Sequence, residues 1–255
     1  MQLDNQTLGR GKVHFSPFIS GTYTPEGYRY VGNTPAFSLN VKSNTLDHFN
    51  ADAGVRVKDR SVTTETNITG SLECDDIQLE NMAQFFLGTQ ATLAQTSATA
   101  ATYTQNAVKQ GRFYQVGATP SLPTGVRSIS SVVVTVASTP KTLGTDYTID
   151  LETGMLGIVT GGGIADGANV LVTFDRAVKS RDQVISGTNQ QKGAVWFVSA
   201  NPEGAKFDYV LPYCLITPNG DFALKADADW QKFSFTLDVL QAPGLERVYI
   251  DGRPY

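Results

Sequence analysis

Residues 28–88 read YRYVGNTPAFSLNVKSNTLDHFNADAGVRVKDRSVTTETNITGSLECDDIQLENMAQFFLG, and the alternations inside this stretch decide the fold class. Phe37, Leu39 and Val41 alternate with Ser38, Asn40 and Lys42, the period of a half-buried strand. Gly32-Asn33-Thr34-Pro35 supplies a turn before it. Further on, Val62, Thr64, Thr66 and Ile68 lead into Ser71-Leu72 as a long second strand. Between them, residues 46–60 (LDHFNADAGVRVKDR) are polar and charged with no apolar period. That predicts a connection of roughly 15 residues, longer than a hairpin needs, of the kind that binds something or moves. Residues 75–87 (DDIQLENMAQFFL) then predict a short amphipathic helix. Ile77, Leu79, Met82, Ala83, Phe86 and Leu87 form its stripe, Asp75 or Asp76 its cap, and Gly88 its end. A helix this short needs a sheet to lie on.

Working outward, strand signals dominate. GAVWFVSANPEGAKFDYVLPYCLITPNGDFALKADADWQKFSFTLDVL at 193–240 gives a strand, an Asn-Pro-Glu-Gly turn and another strand, and then Phe233, Phe235, Leu237 and Val239 alternate against Ser234, Thr236 and Asp238. LERVYIDGRPY reads as a closing strand. In the middle of the chain, VRSISSVVVTVAS, TDYTIDLETGMLGIV and ANVLVTFDRAV are short strands joined by Gly- and Asp-rich turns. These predict a small β module inserted at 120–180, with 1–119 and 181–255 forming the main domain. Residues 89–110, rich in Ala, Thr, Ser and Gln, read as an extended or mobile segment, and residues 1–25 as an irregular polar arm.

Composition narrows the function. Of 255 residues, 17% are charged, against about 25% in a usual domain. The net charge of −4 argues against a surface that grips nucleic acid phosphates. A weakly acidic wall instead lets nucleic acid slide past without sticking. The opening MQLDNQTLGRGKVHFS lacks the apolar core of a signal peptide, and no run of 18 apolar residues exists to span a membrane. Cys74 and Cys214 share no CxxC spacing, so they read as part-buried free thiols rather than zinc ligands.

Catalytic constellations are also missing. His14 and His48 are the two histidines, and neither falls in a recognised spacing with a nucleophile or carboxylate. Asp75/Asp76, Asp150/Glu152 and Asp227/Asp229 sit in cap or turn contexts, and Gly161-Gly162-Gly163 lacks the Lys-Ser/Thr of a phosphate loop. The expectation is a non-catalytic structural protein without metal or cofactor.

The two stretches at 28–88 and 193–240 resemble the major tail tube proteins of long-tailed, siphovirus-type bacteriophages. The resemblance is carried, in order, by the strand Phe37–Lys42, the charged connection Leu46–Arg60 with its Gly54, the Thr-rich strand Ser61–Glu73, and the helix Asp76–Gly88. It implies a mainly β subunit, a tail-tube-type β-sandwich or barrel with one flanking helix at about 76–87. Such subunits form homo-oligomeric rings, commonly hexameric, that stack into a hollow tube in the virion tail after assembly in the host cytoplasm. Inside the lumen are the tape measure protein and viral DNA, and tail terminator and tail-tip proteins close the ends. By position, strands 34–45 and 61–73 would line the lumen, through Ser38, Asn40, Lys42, Thr64, Thr66 and Glu73. The connection 46–60 would reach the adjacent ring, with Asp47, His48, Asp52, Arg56, Lys58, Asp59 and Arg60 setting axial register. The 120–180 module departs from the minimal pattern, and either decorates the tube or is woven into the sandwich. Other virion rings of the same fold (a tail terminator, a baseplate hub) are the nearest alternative. A carbohydrate-binding β-sandwich is a different class, and it predicts an exposed aromatic patch.

Overall fold

The structure is a computed structural model that describes residues 6–52 and 54–253. The strands run β1 (Gly11–Pro17), β2 (Arg29–Tyr30), β3 (Ala36–Asn50) and β4 (Val57–Cys74), followed by the helix α1 (Leu79–Phe85). Then come β5 (Thr89–Gln95), β6 (Ala98–Gln105), β7 (Phe113–Gln115), β8 (Ile129–Val136), β9 (Thr139–Pro140), β10 (Tyr147–Asp150), β11 (Met155–Ile158) and β12 (Val170–Arg176). The chain finishes with β13 (Lys179–Ile185), β14 (Gln191–Ser199), β15 (Phe207–Pro218), β16 (Phe233–Val239) and β17 (Tyr249–Gly252). The protein is mainly β, with α1 the one α-helix among the described residues. It divides into two compact units, Met1–Ala91 with Val184–Tyr255, and Thr92–Gln183. The chain leaves the first unit along β5 and returns along β13, and these two strands pair.

In the first unit, eight antiparallel strands run in the order β2-β1-β14-β15-β16-β4-β3, with β17 beside the first half of β15. Registry puts the apolar alternations on one face. Phe37, Leu72 and Phe235 stand in one row, and Leu39, Gly70 and Leu237 in the next. Val13 and Phe15 of β1 join the same core, with Val195, Leu211, Ile216 and both cysteines. The sheet is rolled. Phe37 on β3 and Phe197 on β14 are four strands apart, about 19 Å in a flat sheet, yet their ring centroids lie 5.9 Å from each other. At one end the roll is nearly closed. The Val31 N–H donates to the Val13 carbonyl (3.0 Å), and the Asp75 N–H to the Asn33 carbonyl (3.2 Å), so the segment after β2 bridges to the end of β4. A cleft of about 910 Å³ remains between the start of β3 and β1, β14 and β15.

Helix α1 packs on this roll through Phe85, whose ring lies 5.3 Å from that of Phe233. It is shorter than the expected 76–87, and its buried face matches the expected apolar stripe only in part: Ile77, Met82 and Ala83 face the core as expected. Asn81, Ala83 and Gln84 are buried, while Phe86 is exposed. Asn81 is the pin: its amide donates to the carbonyls of Val31 (2.7 Å) and Asp76 (3.0 Å), and its oxygen accepts from the half-buried Arg29 guanidinium (2.8 Å). Gln84 accepts a second bond from Arg29 (3.0 Å), and burial lowers the Arg29 pKa. Neither Asp75 nor Asp76 caps the helix. The cap position is Gln78, whose side chain makes no capping bond and donates instead to the Asp76 carboxylate (2.8 Å), while Asp75 accepts from the Asn33 amide. Gly88 follows the helix, where a Cβ would run into the Ile185 carbonyl oxygen.

The inserted unit is a small β-sandwich. Sheets β10-β11-β7 and β6-β12-β8-β9 share one core that includes Val134, Tyr147, Leu156, Ile164, Val172 and Phe174. Its extent corrects the expected 120–180. The unit begins at Thr92, because the Ala- and Thr-rich stretch read as extended or mobile is β5 and β6, and β6 pairs with the distant β12. Residues 11–17 likewise belong to β1 between β2 and β14 rather than to an irregular arm. Residues 1–5 of that expected arm lie outside the described residues.

Phe235 is 1% exposed in the first core and Val62 on β4 is 62% exposed. Phe235→Ala is expected to cost about 3–5 kcal/mol and Val62→Ala under about 0.5 kcal/mol, both read by urea unfolding.

Candidate assembly surface

The stretch read as a 15-residue connection is instead most of a long hairpin. β3 and β4 pair continuously from Ala36↔Glu73 to Asn50↔Val57, with bulges at Asn44/Thr45 and His48/Phe49, so the turn is only 51–56. β16 accompanies β4 as far as Val239↔Ile68. Beyond that row, Lys42–Asn50 and Val57–Asn67 form a ribbon of two strands alone. The Arg247 guanidinium donates to the Thr66 carbonyl where β16 stops (2.5 Å).

Neither face of this ribbon is covered. Leu46 and Val62 are cross-strand partners, 70% and 62% exposed, and Val41, Phe49, Val55 and Val57 are exposed as well. A two-stranded hairpin is marginal in water by itself. Here polar side chains hold it. Asp47 accepts from Lys58 (2.7 Å) and Ser61 (2.7 Å), His48 Nδ1 lies 2.6 Å from Asp59, and the Asn44 amide donates to Glu65 (3.0 Å). The Arg56 guanidinium lies over the Phe49 ring at 5.3 Å. Exposed pairs of this kind are each worth little.

The residues expected to set axial register are therefore placed as follows. Asp47 and His48 sit on β3, Lys58, Asp59 and Arg60 on β4, and Asp52 and Arg56 in the turn. Four of them pair within the ribbon. Arg60 and Asp52 have no ionic partner among the described residues. The expected lumen set divides. Ser38, Asn40, Lys42 and Glu73 share the face opposite the core, where Ser38 and Ser71 hydroxyls meet at 2.9 Å. Thr66 instead faces Ser43 on the core side, and Thr64 sits at a bulge with its hydroxyl on the Asn44 carbonyl. Thr66 and Glu73 lie an odd number of positions apart with no irregularity between them, so the strand sends them to opposite faces, and the bulge at Thr64 only takes Thr64 itself out of the ladder. The same polar face continues through Thr69 and Ser71 to Ser234, Thr236 and Asp238 of β16. Its carboxylates are Glu65, Glu73 and Asp238 and its cations Lys42 and, at its end beside Glu73, Lys232, which leaves it weakly acidic.

A second feature lies along β3. Among the described residues it pairs only with β4, so its outer edge, over a strand of 15 residues, has no strand partner there. Such an edge is a template for another strand.

Both cysteines are free and buried in the same core, and burial pushes the Cys214 thiol up to about 12. His14 packs against Tyr30 and Trp196, away from any carboxylate partner among the described residues.

The Lys58 and Ser61 hydrogen bonds hold the Asp47 carboxyl below its usual range. A depressed folded-state pKa contributes stability that is present above the ordinary carboxylate value near 4 and is lost as pH falls through the folded value. Amide protection at 45–62, after correction for the intrinsic fall in exchange rate with pH, is therefore expected to decline from pH 6 to pH 3 more than protection in β16, and Asp47→Asn should flatten that difference.

No curated protein matches the chain at a significant level. The family described as "Protein of unknown function UCP028589" matches residues 6–245, and the chain belongs to that family.

Proposed function

We propose that this chain is the structural subunit of a bacteriophage tail tube, polymerising as stacked rings around a lumen that conducts viral DNA. One observation carries the reading: the β3–β4 ribbon has both faces exposed and the whole outer edge of β3 unpaired. A monomer gains nothing from such an element, and an edge this long invites aggregation unless a neighbour covers it. In a ring, the next copy pairs with the β3 edge and closes a continuous barrel. The acidic, hydroxyl-rich face of β3, β4 and β16 then forms the lumen wall, which DNA passes without binding. The ring symmetry (hexameric), the tape measure protein in the lumen and the terminator and tip proteins at the ends come with the resemblance to tail tube proteins. The role is structural, with no catalytic step.

A carbohydrate-binding β-sandwich is the second reading, favoured by the partly exposed cluster of Tyr28, Tyr30 and Trp196, where Tyr28 meets Trp196 edge-on at 5.6 Å.

Negative-stain microscopy of the purified chain separates the two. Rings or hollow filaments are expected from the wild type. Leu46→Lys with Val62→Lys should abolish them while leaving the thermal midpoint within a few degrees, since neither side chain packs in the core. A monodisperse monomer at millimolar concentration, together with glycan binding lost in Trp196→Ala, would sink the tube reading.

A further inference from the structure

The loop 219–232, between β15 and β16, carries the most exposed large apolar side chains of the protein: Trp230 at 86% and Leu224 at 81%. It is well anchored. Phe222 stacks on Phe233 at 4.5 Å between centroids, and the Gln231 amide donates to the Ala223 carbonyl (2.9 Å). The loop therefore holds Trp230 and Leu224 out by construction, at a cost in solubility that a partner must offset. Its charges are Asp221, Asp227 and Asp229 against Lys225 and Lys232. Lys232 leans on Glu73 (3.8 Å) and Asp229 (3.9 Å), which leaves Asp221 and Asp227 without an ionic partner among the described residues.

The position of this loop matters. Phe233 pairs with Cys74, so the loop lies at the end of β4 where the strand finishes. The ribbon turn 51–56 lies at the other end, separated by all 18 residues of β4, about 60 Å along the strand. That turn is the complement of the loop. Val55 (77% exposed) and Val57 (61%) are bare apolar surface. Arg60 and Asp52 have no ionic partner among the described residues and Arg56 rests only on the Phe49 ring, so Arg56 and Arg60 outnumber Asp52 at the tip and leave it net positive. An apolar, cationic tip and an apolar, anionic loop thus occupy opposite ends of the same subunit.

We propose that the tip of the β3–β4 ribbon of one copy docks on the 219–232 loop of the next. Val55 and Val57 pack on Trp230 and Leu224, and Arg56 and Arg60 face Asp227 and Asp221. The contact is heterologous, so it repeats head to tail and builds length. It rests on the reading of the chain as a self-assembling subunit, and it names the axial partner of the ribbon.

Charge reversal tests it. Arg56→Asp with Arg60→Asp, and separately Asp221→Arg with Asp227→Arg, should each reduce sedimentable filaments by roughly tenfold or more at physiological salt. Single rings should persist in both. Combining all four substitutions in one chain should restore filaments, and mixing the two reversed variants should restore them as well, since alternating copies then carry opposite charges at every junction. Trp230→Ala should give the same loss, with the fold unchanged by circular dichroism. Filaments that survive both reversals and Trp230→Ala would overturn the axial contact while leaving self-assembly standing. A wild type that forms neither rings nor filaments would overturn both.

Discussion

An antiparallel sheet has to dispose of its two edges, and that constraint organises the first unit. Unpaired backbone groups along an edge attract any free strand. Here one edge is disposed of internally. β2 is only two residues long, and the segment after it turns its backbone to β1 and to the end of β4, through the Val31–Val13 and Asp75–Asn33 bonds. Asn81 locks the same corner, since its amide holds the Val31 carbonyl and ties α1 to the sheet. The other edge, β3, is left open along its full length. The rolled core and the open edge are two consequences of the same arrangement. On the proposed reading, the open β3 edge is the surface through which copies join.

The ribbon extends this logic. Its core-side rows end at Ile68 and Val239, and beyond them the hairpin leaves the protein's own core. Its cohesion depends on surface ion pairs and side-chain hydrogen bonds such as Asp47 with Lys58 and Ser61. These keep it in register without giving it a buried face. On the proposed reading, the buried face is supplied by neighbouring copies, with the axial contact at the tip and the lateral contact along β3. The polar face shared by β3, β4 and β16 needs no covering, which suits a wall facing water and a passing polyanion.

Much of this was legible from the chain, and the failures share a cause. β16 and β12 were read correctly because Phe233, Phe235, Leu237 and Val239, and Val170, Val172 and Phe174, each bury one face of a strand. The ribbon was read as a connection because neither of its faces is buried. With no burial contrast there is no period of two, whatever the backbone does. The Ala- and Thr-rich β5 and β6 were missed similarly, since small side chains give a weak alternation. Helix α1 lies at nearly the expected place, and Ile77, Met82 and Ala83 of its expected stripe do face the core, but Phe86 does not. The buried positions include Asn81 and Gln84, and a polar side chain that is fully hydrogen-bonded inside cannot be told from an exposed one by hydropathy.

What the sequence determined by itself is the mainly β class, the strand runs that face a core, the charge balance, and the absence of recognised catalytic spacings. These depend on local composition and on contrasts between neighbouring residues. Only the tertiary structure decided that residues 46–50 and 57–60 are paired strands, that Ser38 pairs with Ser71 on one face and Ser43 with Thr66 on the other, that the insertion starts at Thr92, and that Trp230 stands at the opposite end from Val55. Each of these depends on pairing between residues far apart in the chain, and such pairing sets register and exposure without leaving a local mark on either partner.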